Sequence, residues 1–113
     1  MKEWLEKLRR SRKLIIVEGK KDKATLEKLG IGNVVAISRK PLYSFIDSID
    51  VKEVIILTDL DKTGKKLYSV LKHNLQAKGV KIDNYFREYL FRNSKLTQIE
   101  GLYHYLKKEG ILS

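Results

Sequence analysis

Acidic side chains follow two apolar segments of the sequence, and their spacing suits metal-dependent chemistry. Glu18 comes directly after the apolar run 14–17, and Asp59 and Asp61 come shortly after the run 54–57. Unbroken apolar runs of this length are typical of parallel strands covered on both faces. We therefore expect the carboxylates at the rim where open α/β sheets bind ligands. Three carboxylates meeting there repel one another unless a cation joins them, and Mg²⁺ (or Mn²⁺) suits oxygen ligands beside phosphate.

The Asp59-x-Asp61 spacing has two interpretations. At i and i+2 of an extended segment, both side chains point to the same side and can reach one metal ion. The following Gly64 permits a tight turn into a helix, whose first N–H groups would then face phosphate oxygens. Alternatively, the two aspartates only cap that helix, because aspartate is a favoured N-cap residue.

Glu18 is the more informative of the three carboxylates. A carboxylate placed directly after four buried apolar residues is costly unless it has a partner or a chemical function. An ion pair with Lys20 or Lys21 is the simpler explanation. If desolvation and the two aspartates instead raise its pKa, Glu18 is suited to act as a general acid or base.

The order of elements indicates the fold class. Strands and helices alternate, which predicts an α/β protein with three layers (α/β/α) and a four-stranded, mainly parallel sheet. If Glu18 and Asp59 share one site, the first and third strands must be neighbours. The predicted strands cover 13–17, 33–37, 53–58 and 81–86, and the predicted helices cover 2–11, 22–29, 41–48, 63–78 and 97 to about 108, the last opened by a capping box at 97–100.

Size and composition narrow the class of protein. The 113 residues fit one domain, 1–113, with a core at about 13–93 and flanking helices at both ends. The chain has no cysteine, which excludes disulfides and thiolate metal sites. Its charged N-terminus and short apolar runs predict a cytoplasmic protein without membrane association. The net charge of +10 favours a polyanionic partner.

Two acidic motifs match those of a known family. The matching residues are Glu18-Gly19 and Asp22 after the first strand, and Asp59-x-Asp61-x-x-Gly64 after a later strand. This arrangement resembles the Toprim domain, a Rossmann-like fold shared by bacterial-type primases, type IA and type II topoisomerases and ribonuclease M5. The resemblance covers about residues 13–93 and extends most closely to small stand-alone Toprim proteins related to ribonuclease M5.

The resemblance implies specific roles. Glu18 matches the glutamate proposed as general acid or base in phosphoryl transfer, and Asp59 and Asp61 match the pair that binds Mg²⁺. One departure is that family members often carry a glycine just after the second strand, where this chain has Ser38. Supporting positions implied by the motifs are Gly19, Asp22 and Gly64.

Basic residues near the predicted rim are candidates for holding a nucleic-acid backbone rather than for reading its sequence. Tyr85, Tyr89 and Phe91 are candidates for stacking on an unpaired base. The candidate backbone contacts are Lys20, Arg39, Lys40, Lys62, Lys65, Arg87 and Arg92.

The sequence supports three functional hypotheses. The first is Mg²⁺-dependent phosphodiester chemistry on RNA or DNA, in the manner of ribonuclease M5. The second is a nucleic-acid-binding or assembly module with a Toprim fold and little activity alone, and a protein partner or a homo-oligomer stays open. The third is a receiver domain phosphorylated on Asp59, which is disfavoured because Glu18-Gly19 is not an acidic pair and no fifth strand is evident.

Overall fold

The two apolar runs form the central strands of a four-stranded parallel sheet. The computed structural model describes residues 1–112, and its strand order is β2-β1-β3-β4. Every strand pair is parallel, which confirms the predicted fold class. The strands are β1 (Leu14–Val17), β2 (Val34–Ala36), β3 (Glu53–Ile56) and β4 (Lys81–Asp83). The helices are α1 (Lys2–Arg10), α2 (Lys20–Lys28), α3 (Leu42–Ser48), α4 (Lys62–Ala77), α5 (Tyr85–Asn93) and α6 (Leu102–Lys108), with a 3₁₀ turn at Ile99–Gly101.

Alternating side chains of the strands divide the core into two layers. Ile15 and Val17 of β1 pack with α1, α2, α5 and α6 on one face of the sheet. Ile16 packs with α3 and α4 on the other face. Because both faces are covered, each central strand is apolar at consecutive positions, as the sequence indicated. Trp4 is 1% exposed and donates its indole N–H to the Phe86 carbonyl at 2.9 Å, so α1 is anchored on the first face.

The strand order places a crevice between β1 and β3. The chain leaves β1 toward β2 on one side, whereas it leaves β3 toward β4 on the other. Right-handed crossovers then place α2 on one face and α3 and α4 on the opposite face. At such a switch point the loops after the two strands separate, and ligands of open α/β sheets bind there. Glu18 and Asp59 both lie in these loops, as the prediction of neighbouring strands required.

Two predicted elements are wrong in the region after residue 80. The predicted strand 81–86 ends at Asp83, and its last residues begin α5, which was not predicted. The Asp83 carboxylate accepts the Tyr85 N–H at 3.1 Å, which favours the change from strand to helix. Phe86 and Leu90 are buried at helical spacing, so the aromatic run belongs to a helix.

The predicted capping box at 97–100 is also absent. Gln98 is the residue before the 3₁₀ turn, and its side chain makes no capping bond. Long-range contacts occupy this segment, because Leu60 donates its N–H to the Thr97 carbonyl at 2.8 Å. The other boundaries differ from the predictions by up to two residues, and α2 begins at Lys20 rather than at Asp22.

Within residues 1–112, no helix is long and apolar enough to cross a bilayer.

The turn after β2 has a strained backbone. Ser38 has φ of 55°, in the left-handed region that favours glycine. Its N–H donates to the Glu18 carbonyl at 2.8 Å, so the turn is bound to the loop that follows β1. The departure from the family glycine therefore falls on a position whose conformation suits glycine.

Replacing Ser38 by glycine is expected to stabilise the protein. The left-handed conformation costs a non-glycine residue about 1 kcal/mol, and the greater freedom of glycine in the unfolded chain offsets part of the gain. We expect Ser38→Gly to raise the free energy of unfolding by about 0.5 kcal/mol in urea titrations.

The matched control is Ser44→Gly, at an exposed position within α3. Glycine inside a helix lowers stability by roughly 0.5–1 kcal/mol, so the same substitution should have the opposite sign there. Equal losses in the two variants would show that Ser38 is not strained.

Candidate active site at the carboxyl ends of β1 and β3

Glu18 and Asp59 are in direct contact at the switch point of the sheet. The Asp59 backbone N–H donates to Glu18 Oε2 at 2.7 Å, across 41 residues of sequence. Both side chains are partly buried and line one cleft of about 400 Å³. The other residues of this cleft are Gly19, Lys20, Lys21, Asp22, Ser38, Gln98 and Glu100.

Three further hydrogen bonds fix the Asp59 segment. The Asp59 carbonyl accepts from Arg87 Nη2 at 2.8 Å, and Asp59 Oδ1 accepts the Ile99 N–H at 2.9 Å. The next residue, Leu60, donates to the Thr97 carbonyl. Together with the bond from the Asp59 N–H to Glu18, these bonds hold the Asp59 segment to three separate parts of the chain, the loop after β1, α5 and residues 97–99, which preorganises the carboxylate.

Gly64 packs directly against the same segment. A Cβ atom built on Gly64 would lie 2.0 Å from the Asp59 carbonyl oxygen, a distance that no real side chain tolerates. The Gly64 carbonyl accepts from Thr58 Oγ1 at 2.8 Å, so the first turn of α4 is bound to the end of β3. The glycine of the second motif is therefore required by close approach of two backbone segments.

Asp61 serves as the N-cap of α4. Its Oδ1 accepts the Gly64 N–H at 2.8 Å, which is the capping interpretation of the Asp59-x-Asp61 spacing. Over residues 1–112, no three His, Cys, Asp or Glu side chains are placed to hold one metal ion. The structure thus brings Glu18 and Asp59 together but does not complete a three-carboxylate cluster with Asp61. The metal-binding role of Asp61 stays a prediction.

Asp22 supports the loop that carries Glu18. Its Oδ2 accepts the Gly19 N–H at 3.0 Å, within the first turn of α2 rather than at its N-cap. Burial raises the pKa of Asp22, and the neighbouring Asp59 and Glu100 carboxylates raise it further. The ion pairs found among residues 1–112 do not include Glu18, so the expected pairing with Lys20 or Lys21 is not formed there.

The environment of Glu18 favours its protonated form. Its pKa is raised from 4.5 to about 7, mainly by desolvation and further by the Asp59 and Asp22 carboxylates, while the hydrogen bond from the Asp59 N–H opposes the rise. A carboxyl group that titrates near neutral pH can both donate and accept a proton under ordinary conditions. The predicted rise of the Glu18 pKa therefore has a structural basis.

The donor set fits a hard divalent cation. Glu18 and Asp59 each use one carboxylate oxygen in the hydrogen bonds above. Apart from a hydrogen bond between the two carboxyl groups themselves, which helps to raise the Glu18 pKa, their other oxygens accept none from the described part of the chain. A cation can take the place of the shared proton. Divalent ions such as Mg²⁺ are commonly bound through one or two carboxylates together with water and substrate phosphates, so the chemistry of this pair fits such an ion.

The predicted backbone-binding residues divide into two groups. Arg87 is buried, because it is only 9% exposed and binds the Asp59 carbonyl, and its role as a backbone contact stays a prediction. Its guanidinium lies 4.5 Å from the centre of the Tyr68 ring. The remaining six are exposed: Lys20, Arg39, Lys40, Lys62, Lys65 and Arg92.

Sequence reasoning missed the contribution of the segment before α6. Ile99 binds Asp59 through its backbone, and Gln98 and Glu100 line the acidic cleft. A backbone N–H carries no signal of its partner in the sequence, and 40 residues separate the two. The local signal in the sequence was Glu100 beside the apolar Ile99, and the capping-box interpretation assigned Glu100 to a helix start instead.

Comparisons with known proteins agree with this fold. A solved structure of a putative protein from Aquifex aeolicus superposes with a TM-score of 0.81 at 33% identity, covering 88% of this chain and 95% of that one. A UPF0292 protein of Methanocaldococcus jannaschii is 37% identical over 108 residues, covering 90% of this chain and 84% of the relative. A UPF0292 protein of Pyrococcus horikoshii is 39% identical, covering 88% and 78%.

The model of the Toprim domain matches residues 12–85, which include Glu18, Asp59 and Asp61. Toprim domains in general bind divalent metal ions and act on nucleic acids. Since the match extends over more than half of the sequence, the chain belongs to the Toprim domain family.

Proposed function

We propose that this protein is a Mg²⁺-dependent enzyme that cleaves phosphodiester bonds of nucleic acid. The observation that carries the proposal is the contact between Glu18 and Asp59 at the switch point of the sheet. Two carboxylates held together in a part-buried cleft are costly for a structural role alone, because like charges repel and desolvation adds to the cost. A divalent cation and a phosphate offset both costs.

Glu18 is the proposed general acid or base. Its Oε2 accepts the Asp59 N–H, so Oε1 is the atom that exchanges a proton with the reacting group. Asp59 is fixed by Arg87 and Ile99, so the position of its carboxylate does not depend on the substrate. Asp59 would hold Mg²⁺ throughout, Asp61 would contribute through water from the N-cap of α4, and Glu18 would join them only while its Oε1 is deprotonated. The ion would stabilise negative charge on the phosphate and activate the attacking water.

Exposed cations around the cleft supply the attraction for substrate. Lys20 lines the cleft, and Arg39 and Lys40 follow Ser38 on the exposed turn after β2. Contacts of this kind position a phosphate backbone and make binding sensitive to salt. The specific form that we propose is cleavage of structured RNA in the manner of ribonuclease M5, supported by the Toprim fold and the basic surface.

Conservative removal of each acid tests the enzyme hypothesis. Asp59→Asn and Glu18→Gln both retain an oxygen that accepts the existing backbone hydrogen bond, so the fold should persist. Loss of a general acid or base costs about 10²- to 10⁴-fold, and we expect cleavage of a labelled RNA hairpin in Mg²⁺ to fall by that range in Glu18→Gln. Asp59→Asn should also lose its response to added Mg²⁺.

The control is Asp50→Asn, which removes an exposed carboxylate from the loop before β3, at the opposite end of the sheet. It should cleave like the parent protein. If the parent cuts neither RNA nor single-stranded DNA, or if Asp59→Asn cuts equally well, the enzyme hypothesis is wrong. Salt-sensitive binding that persists in Asp59→Asn without any cleavage would then support a binding module.

The titration of Glu18 should appear in the stability of the metal-free protein. A carboxyl pKa that is higher in the folded state contributes stability below the unfolded value of 4.5, and this contribution is lost as pH rises through about 7. We expect Glu18→Gln to flatten the decline in stability of the parent protein between pH 5 and about 7.5 in thermal melts with EDTA.

Bound magnesium should lower the pKa of Glu18, which burial raises in the metal-free protein. A cation stabilises the ionised carboxylate, so saturating Mg²⁺ should lower the Glu18 pKa, measured by the ¹³C carboxyl shift in NMR. Asp50→Asn should change neither the pH dependence of stability nor the NMR titration of Glu18. A Glu18 signal that titrates near 4.5 in the metal-free protein would contradict the assigned environment.

A further inference from the structure

A second cleft, formed by α4 and α5, adjoins the candidate active site. Its volume is about 430 Å³, within the range of about 300–1,000 Å³ that is usual for small-ligand pockets. Arg87 lines this cleft and also donates to the carbonyl of Asp59, a residue that lines the acidic cleft. One buried side chain therefore joins residues of the two clefts, and a strand of nucleic acid could occupy both.

The charge of the α4–α5 cleft favours an anion. Lys65, Arg87 and Arg92 line it together with one carboxylate, Glu88, which leaves two positive charges in excess. The Glu88 carboxylate accepts a hydrogen bond from Asn84 Nδ2 at 3.3 Å. The ion pairs found in residues 1–112 include none of the three cations.

Arg87 gives the second and independent indication of a ligand. It is 9% exposed, and its Nε has no hydrogen-bond partner in residues 1–112. Burial works against its positive charge, so the pKa of Arg87 is lowered. A buried cation without a carboxylate partner is unfavourable, and an anion bound beside it would offset that cost.

Aromatic rings fix two of the cations in place. Lys65 Nζ lies 4.7 Å from the centre of the Phe91 ring, and the Arg87 guanidinium lies 4.5 Å from that of Tyr68. Phe91 is 46% exposed, so much of the ring stays open to a partner. Of the three aromatic residues considered for base stacking, only Phe91 lines the cleft with these cations.

We propose that the α4–α5 cleft binds one unpaired nucleotide of the substrate strand, next to the phosphate that is cleaved. Lys65, Arg87 and Arg92 contact its phosphate, and its base stacks on Phe91. Because a base inside a duplex cannot leave its stack to enter such a cleft without cost, the substrate is single-stranded at this position. This inference rests on the proposed function, since it places the nucleotide relative to the reacting phosphate.

Binding without divalent metal tests the inference separately from catalysis. The probes are fluorescein-labelled ten-nucleotide RNA and DNA strands, and a sugar–phosphate strand of the same length without bases, measured by fluorescence anisotropy in EDTA. Stacking is lost only where a base is present, so Phe91→Ala should weaken binding of the base-bearing strands roughly 5- to 100-fold and leave the abasic strand unchanged. Phe91→Trp should restore the affinity.

Matched controls separate the cleft from general surface charge. Tyr43→Ala removes a ring that is 73% exposed on α3, and it should not alter either affinity. Arg92→Gln should reduce the slope of log affinity against log salt by about 0.7 for a single strand, whereas Lys66→Gln, an exposed position next to Lys65, should not.

The inference is overturned if Phe91→Ala binds every strand like the parent, or if it weakens the abasic strand equally. Because Phe91 is half-exposed, Phe91→Ala should leave the circular dichroism spectrum intact. If Phe91→Ala loses structure, the comparison of the parent with Phe91→Trp, which keeps an aromatic ring, still tests the stacking. If Phe91→Ala weakens only the base-bearing strands but the parent protein cleaves no strand, the proposed function is refuted and this inference is not. Cleavage by the parent with unaltered binding in Phe91→Ala would refute this inference alone.

Discussion

The hydrogen bond from the Asp59 N–H to the Glu18 carboxylate is the interaction on which the site depends. It joins the loops after two neighbouring strands, and it exists only because β1 and β3 pair in parallel at the centre of the sheet. The same contact brings two carboxylates together in a part-buried cleft, where desolvation first, and then the Asp59 carboxylate, raises the pKa of Glu18. The fold thus places two carboxylates that repel each other at the rim of the sheet, and a proton or a divalent cation removes this repulsion.

Arg87 places a positive charge close to these two carboxylates. Its guanidinium binds the Asp59 carbonyl rather than a carboxylate, so its charge is not neutralised by an ion pair. A cation in that position favours ionised acids in one cleft and a bound phosphate in the other. Arg87, a candidate backbone contact in the sequence, is therefore buried, and it connects Asp59 of the acidic site to the α4–α5 cleft.

Much of this arrangement follows from local sequence patterns. Four consecutive apolar residues before Glu18 and before Thr58 identified the central strands, and the alternation of elements implied that their carboxyl ends coincide. Other features had no local signal. The burial of Arg87 depends on Tyr68 and Asp59, and the docking of Ile99 on Asp59 joins residues far apart in the chain. The misassigned strand at 84–86 shows a tertiary effect, because Phe86 packs against Trp4 on α1.

The attachment of Thr97 and Ile99 to the Asp59 loop has a consequence for where this domain ends. The family match stops at residue 85, yet two backbone hydrogen bonds that immobilise the acidic loop come from residues 97 and 99. A minimal unit cut at the family boundary would keep every motif residue while losing part of the scaffold behind them. In this protein the segment beyond the matched region is a structural component of the candidate site.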